Sequence, residues 1–238
     1  MKKFKILVIS LMILSFVIVG VSFAYLPDII PIHFGIDGAP DQFGSKYFML
    51  LFPTVITIVG SVALAVCRYA KVSENYKKYT MLTVSIVEII FVTLLIMLLV
   101  YAAMYTEDGF VFEISKIMLP LFGLMFIILG NFMPKIEKNS TLGVKTYWSM
   151  YNETTWQKTH RFTGFVSVVV GVLSIVLGLF FNDIVNFIIL MSLIFVFAVS
   201  TTVASYIYYK EEKLIKLSKI FLLTYMILTF VSILLPDD

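Results

Sequence analysis

Apolar residues run along this chain in long unbroken stretches, without the strict alternation that marks the strands of a membrane barrel. Seven such stretches can be read, at residues 6–25, 47–67, 80–104, 117–133, 162–181, 184–208 and 220–235. A helix needs about 20 residues to cross a hydrocarbon core about 30 Å thick. Most of the stretches meet that length, and lipid offers no partner to unpaired backbone groups, so helices are expected throughout. The fourth and seventh are short. The fourth is expected to draw on the preceding residues 110–115, and the seventh is open between a span and a C-terminal interfacial helix.

Composition closes the soluble alternatives. Hydrophobic residues make up 60% of the 238 and charged residues 14%, against about 45–50% and about 25% in an ordinary soluble domain. So few charges cannot cover a globular surface. The lone Cys67 leaves no internal disulfide and no multi-thiolate metal site.

The few charges are sorted by side. Lys2, Lys3 and Lys5 precede the first stretch, and Arg68, Lys71, Lys77 and Lys78 follow the second. Lys135, Lys138, Lys145, Lys158 and Arg161 follow the fourth, and Lys210, Lys213, Lys216 and Lys219 follow the sixth. Sixteen of the 18 basic residues therefore share one side of a seven-span bundle. The other side holds Lys46 and Lys116 with Asp28, Asp37, Asp41, Glu107, Asp108, Glu113, Asp183, Asp237 and Asp238. The positive-inside rule then expects an all-α, polytopic transmembrane helix bundle of about seven spans, with the N-terminus cytoplasmic and the C-terminus outside. Basic inner loops attract anionic lipid head groups, so membrane lipids are the expected partners there and direct nucleic-acid binding is not expected. Ser22-Phe23-Ala24 has the look of a signal-peptide cleavage site, but the apolar stretch before it exceeds the usual h-region, and a retained anchor is expected.

The outer loop after the first stretch contains Pro27, Pro31, Pro40, Gly35, Gly38 and Gly44 within about twenty residues, a density that demands turns and extended pieces. Asp28, His33, Asp37 and Asp41 have no calcium-loop spacing, and one His gives zinc too few ligands, so no metal or other cofactor is expected. The choice is between an ordered outer cap and a surface that contacts a ligand or peptide. Leu26-Pro27-Asp28, Ile30-Pro31, His33, Gly38, Asp41 and Lys46 resemble the LPxxIPxHxxxxGxxDxxxxK signature of a bacterial membrane domain of unknown function found at the N-terminus of SdpI-like proteins.

The longest inner loop spans residues 133–164. Asn152 is placed to cap a short helix that carries Trp156 and His160 on one face. Trp148, Tyr147 and Trp156 beside lysines and Arg161 have the make-up of an interfacial belt, and the alternative is a docking surface for a cytoplasmic partner or a lipid. Here Gly130-Asn131-Phe132-Met133-Pro134-Lys135, then Leu142-Gly143-Val144-Lys145-Thr146-Tyr147-Trp148, then Asn152-Glu153, Trp156, Lys158, His160 and Arg161 resemble the SdpI family pattern GNxMPK…GIRTPWT…W.KTHR. Lys145 stands where that pattern has Arg, which forfeits bidentate recognition, and Tyr147 stands where it has Pro. The resemblance implies a bacterial plasma-membrane immunity protein of the bacteriocin-resistance kind. It would meet a membrane-active toxin peptide at its outer face and signal to a cytoplasmic regulatory protein through its inner loop. Candidate contact residues are Pro27, Pro31, His33 and Asp41 outside, and Lys145, Trp148, Trp156, His160 and Arg161 inside. Residues 1–67 form an N-terminal two-helix unit with the LPxxIPxH loop on this reading, and residues 68–238 a helical bundle with the SdpI-like loop.

Two features lie within the bilayer. Glu88 is an ionisable residue about eight positions from the inner end of the third span, and the hydroxyls of Ser200, Thr201 and Ser205 are the expected partners for its carboxyl. Gly164, Ser167, Gly171, Ser174 and Gly178 form a small-residue seam of 3,4 spacing, for which Gly123 and Gly130 are natural partners. No HExxH, GxSxG or phosphate-cradling glycine loop is present, and the two histidines fall on opposite sides of the membrane, so no enzymatic activity is expected. The alternative function is a small-molecule or proton-linked transporter centred on Glu88.

Overall fold

A computed structural model describes residues 2–35, 38–70, 72–105, 115–139 and 141–234, with the backbone alone for 229–234. Asp37, Glu107, Asp108, Glu113, Asp237, Asp238, Lys71 and residues 110–114, expected to extend the fourth span, lie outside the described residues, as does the end of the seventh stretch at Leu235. The elements follow the order α1 (Lys2–Ser22), β1 (Ile29–Phe34), β2 (Pro40–Ser45), α2 (Leu51–Tyr69), α3 (Glu74–Met104), α4 (Ser115–Phe132), α5 (Glu153–Gly178) and α6 (Asp183–Leu234). Among the described residues, six helices are long and apolar enough to cross a membrane.

Helix α3 packs against both α1 and α2. Val19, Leu26, Met49 and Leu95 form the outer layer of that contact, Leu11, Ile56 and Val92 the middle, and Val8, Ala63, Cys67 and Met81 the inner. The proline-rich loop between α1 and α2 folds as expected into extended pieces joined by a tight turn. Strands β1 and β2 pair antiparallel, Ile29 opposite Ser45 and Phe34 opposite Pro40. Gly38 takes φ +77° in the turn, a conformation that costs glycine little and other residues much. Lys46 closes the structure from below. Its Nζ pairs with Asp28 at 3.0 Å and reaches the carbonyls of Phe23 and Leu26, just beyond the C-terminal end of α1. A cation there answers orphan carbonyls and the helix dipole together.

The second group of helices is built on the small-residue seam. A Cβ on Gly171 would collide with the Gly123 carbonyl, one on Gly164 with the Gly130 carbonyl, and one on Gly178 with Pro120. The expected partners do meet, and α4 and α5 approach backbone to backbone along their length. Lipid supplies no hydrophobic drive between helices, so this close contact and its dispersion energy are what hold the pair. Helix α6 lies on α5 and touches α4 through Phe126 and Phe197, whose rings are 5.3 Å apart.

The seven apolar stretches fall on six helices, because the sixth and seventh share α6. The reversal expected between residues 208 and 220 is absent. The physical reason is plain in the sequence: no Gly or Pro occurs from Leu179 to Leu235, and the Lys and Glu residues that suggest a loop are good helix formers. At 52 residues, α6 is about 78 Å long, more than twice the thickness of a bilayer core. Its polar turn at Lys210–Lys219 continues as helix below the inner loop, and Ile220–Leu228 follow, exposed along the helix.

The seam gives a matched pair of substitutions. Gly171→Leu must push α4 and α5 apart, whereas a side chain at Gly20 meets nothing within 4 Å. Gly171→Leu should lower thermal stability in detergent by about 1–3 kcal/mol or prevent folding, with Gly20→Leu near wild type. Equal melting of the two variants would refute the seam.

Candidate functional site

Two sites emerge, one at each face. On the cytoplasmic side, Pro134 ends α4 in a short 3-10 turn, Met133–Lys135, and packs against Gly164 of α5. Asn139 then turns the chain, its side-chain oxygen accepting from the amides of Thr141 and Leu142 at 2.8 and 2.7 Å. The Asn152 side chain caps α5 by accepting from Thr155 N at 2.7 Å. The expected short helix is therefore the first two turns of α5 itself, which runs on unbroken into the membrane.

Trp156 and His160 lie one turn apart on α5 and are both fully buried. Their rings stack with centroids 3.8 Å apart and planes inclined by 23°. The indole Nε1 donates to the Ile136 carbonyl at 2.8 Å, which ties the start of the loop to α5. His160 ties its middle. Nδ1 faces the Trp156 carbonyl at 2.9 Å, and a carbonyl only accepts, so Nδ1 carries the proton. Nε2 receives the amide N–H of Val144 at 3.2 Å and therefore presents a lone pair. The imidazole is neutral in the Nδ1–H tautomer, fixed by two backbone groups. Gly143 makes this approach available: its φ is +101°, and a Cβ would fall on His160 Nε2.

The rest of the loop closes on α6. Ser149 Oγ donates to the Val144 carbonyl at 2.7 Å, and Thr146 Oγ1 meets Ser205 Oγ at 2.8 Å. Trp148 stacks edge-on against Tyr206, with ring centroids 5.1 Å apart, and Tyr151 packs against Tyr209 at 4.9 Å. Lys158 pairs with Glu211 and Glu212 at 3.1 and 3.2 Å. Of the inner candidates, Trp156 and His160 form the buried centre, Trp148 is half-buried on α6, and Lys145 and Arg161 are exposed.

On the outer side, His33 Nδ1 and the Asp41 carboxylate meet at 2.6 Å across the hairpin, both exposed. Pro31 is buried in β1 and Pro27 exposed. Behind the hairpin lies a crevice of about 510 Å³ between α3, α4 and α6, with His33, Ser115, Asp183 and Asn186 at its polar end. Asn186 and Ser115 have no signature in the sequence; a single Asn inside an apolar run is the only sign.

Glu88 corrects an expectation. Its carboxyl is buried with no partner for either oxygen among the described residues. Oε1 is lodged against Gly60 of α2, with Met12 and Val8 of α1 beside it. The hydroxyls expected to bond it are engaged elsewhere: Ser205 with Thr146, Thr201 and Ser200 with carbonyls of their own helix. Glu88 belongs to the α1–α2–α3 contact, where a glycine makes room for it. Among the described residues, no group of His, Cys, Asp and Glu is arranged to hold a metal ion.

Closure of the inner loop can be tested at Gly143. Gly143→Ala combines backbone strain with a collision against His160. It should cost about 1–3 kcal/mol and speed tryptic cleavage in the loop. Thr141→Ala, at an exposed neighbour, should behave as wild type, and equal cleavage rates would contradict the lock.

Comparison with known proteins finds two partial family matches and two similar proteins. Residues 135–209 match the SdpI/YfhL protein family, the stretch that begins at the loop and ends at Tyr209. Residues 10–71, which contain the hairpin, match a domain of unknown function, DUF1648. Immunity protein SdpI of Bacillus subtilis (strain 168) is 28% identical over 211 residues, covering 89% of this chain and 98% of its own length. An uncharacterized protein of Archaeoglobus fulgidus is 36% identical over 47 residues, 20% of this chain and 26% of that protein. No solved structure matches the chain. With six helices among the described residues long and apolar enough to cross a membrane, and with these matches, the chain is a multi-pass bacterial membrane protein that is similar to the SdpI/YfhL family over residues 135–209 and to DUF1648 over residues 10–71.

Proposed function

We propose that this protein confers immunity on its cell by binding a membrane-active toxin peptide at its outer face. The observation that carries the reading is the similarity to Immunity protein SdpI across 98% of that protein's length, so both the hairpin and the inner loop have counterparts in one relative. The geometry suits the task. The hairpin stands on the outer face with Phe43, Tyr47 and Tyr25 exposed around the His33–Asp41 pair, an arrangement of aromatic and polar groups fit for a peptide at the membrane surface.

The same reading gives the inner loop a signalling role toward a cytoplasmic regulatory protein. Helix α6 begins beside the outer crevice at Asp183 and reaches the inner loop at Ser205–Glu212, so one rigid element touches both faces. Lys145 and Arg161 are the exposed cations that a partner would meet, while Trp156 and His160 hold the loop that presents them. No catalytic step is part of this reading.

Proton-linked transport at Glu88 has one observation in its favour, the unpartnered buried carboxyl. Its packing against Gly60, Met12 and Val8 favours a structural role instead.

Expression of the chain in a sensitive bacterium should raise survival under challenge with at least one member of a panel of membrane-active peptides. No rise across the panel would overturn the immunity reading. Glu88→Gln should keep that protection; its loss, together with a substrate-coupled pH change in wild-type proteoliposomes, would favour transport.

A further inference from the structure

The crevice behind the hairpin has a chemical polarity of its own. Leu98 of α3, Leu119 of α4 and Phe187 and Leu190 of α6 give it apolar walls, and its volume of about 510 Å³ lies within the range of small-ligand sites. Its outer end presents oxygen acceptors. Asn186 is 1% exposed, and its amide nitrogen faces the carbonyls of Gly178 and Phe181 at 3.1 and 3.0 Å and the Ser115 hydroxyl at 3.0 Å. Two of those three partners can only accept, so the amide cannot be turned the other way. Asn186 lines the crevice, and its Oδ1 is thereby left buried beside it with no partner among the described residues.

Asp183 stands one turn away on α6. Its Oδ1 accepts from the Ser115 amide at 3.1 Å, and its Oδ2 lies against Gly38 of the hairpin, whose missing side chain leaves the carboxylate room. A carboxylate and a fixed, unsatisfied amide oxygen together call for a group that is cationic and rich in N–H bonds. An apolar wall immediately below calls for aliphatic or aromatic neighbours of that group.

We propose that this crevice binds the ammonium group of an apolar peptide, a lysine side chain or a free amino terminus. Asn186 Oδ1 and the Asp183 carboxylate accept its N–H bonds, and the neighbouring apolar side chains seat between α3, α4 and α6. The choice of a peptide rests on the immunity reading. It is also favoured over an aminolipid by the lining itself, which among the described residues contains His33 but no Lys or Arg to hold a head-group phosphate.

The test uses the full chain in phosphatidylcholine nanodiscs and two probes that carry carboxyfluorescein on the amino-terminal nitrogen: carboxyfluoresceinyl-Leu-Leu-Lys-Leu-Leu-amide and its analogue with norleucine in place of lysine. The lysine probe should bind saturably, one per chain, and about tenfold tighter than the norleucine probe. Asp183→Asn retains an oxygen for the Ser115 amide, and should abolish that preference. Asn186→Leu should do the same, and Leu98→Trp should block both probes by filling the crevice. Equal affinity for the two probes, or a preference that survives Asp183→Asn, would overturn the site. Displacement of the lysine probe by phosphatidylethanolamine in the nanodisc would overturn the peptide assignment. Protection of cells without any lysine preference would sink this inference and leave the immunity reading standing. A lysine preference without protection against any toxin would do the reverse.

Discussion

The His160 imidazole sits between the two backbone groups that keep the cytoplasmic loop closed, the Trp156 carbonyl at Nδ1 and the Val144 amide at Nε2, and the order of the inner face follows from that pairing. Both are groups that cost free energy when buried unpaired. One neutral ring satisfies them at once, and the indole of Trp156 covers it while securing Ile136. The glycine at 143 is required twice over, by its positive φ and by the ring that occupies the place of its side chain. Once Val144 is fixed, Ser149 and Thr146 can organise the following turn, and that turn delivers Trp148 and Tyr151 to α6. Through these linked contacts a long polar loop becomes a firm part of the bundle.

The membrane part obeys a different constraint. With no water to expel between helices, α4 and α5 hold together by approaching until backbone touches backbone, and only glycine permits that. The first three helices use ordinary apolar side chains and admit one exception, the carboxyl of Glu88, accommodated by Gly60. Between the two groups remains the crevice on the outer side, roofed by the hairpin. Helix α6 passes from that crevice to the inner loop without interruption, so the two polar faces are connected by one continuous helix.

Much of this is legible in the chain of residues alone. Long apolar runs and sorted charges specify a helix bundle and its orientation, and the 3,4 spacing of Gly164, Ser167 and Gly171 specifies both a seam and its partners on α4. The hairpin is readable from its prolines and glycines, and the cap at Asn152 from its place before a helical run. What stays illegible has a common cause: it depends on contacts between residues far apart in the chain. Glu88 lies at a suitable depth to meet the hydroxyls of α6, but depth along one axis says nothing about which helices adjoin. Asn186 carries no local pattern, since its partners Ser115 and Gly178 come from other turns and another helix. The charged run at Lys210–Lys219 resembles a loop because it follows an apolar stretch, although nothing in it breaks a helix. Spacing alone puts Trp156 and His160 on one face; their burial follows from the fold of the loop around them.

The most direct measurement is nitrogen NMR of the histidine rings in lipid bilayers at neutral pH, with His33→Gln leaving His160 as the single signal. A closed loop predicts one neutral tautomer, with Nδ1 protonated and Nε2 bare and hydrogen-bonded to a backbone amide. A proton on Nε2, whether in the other tautomer or in the imidazolium, would leave no acceptor for Val144 and would contradict the lock on which the inner face depends.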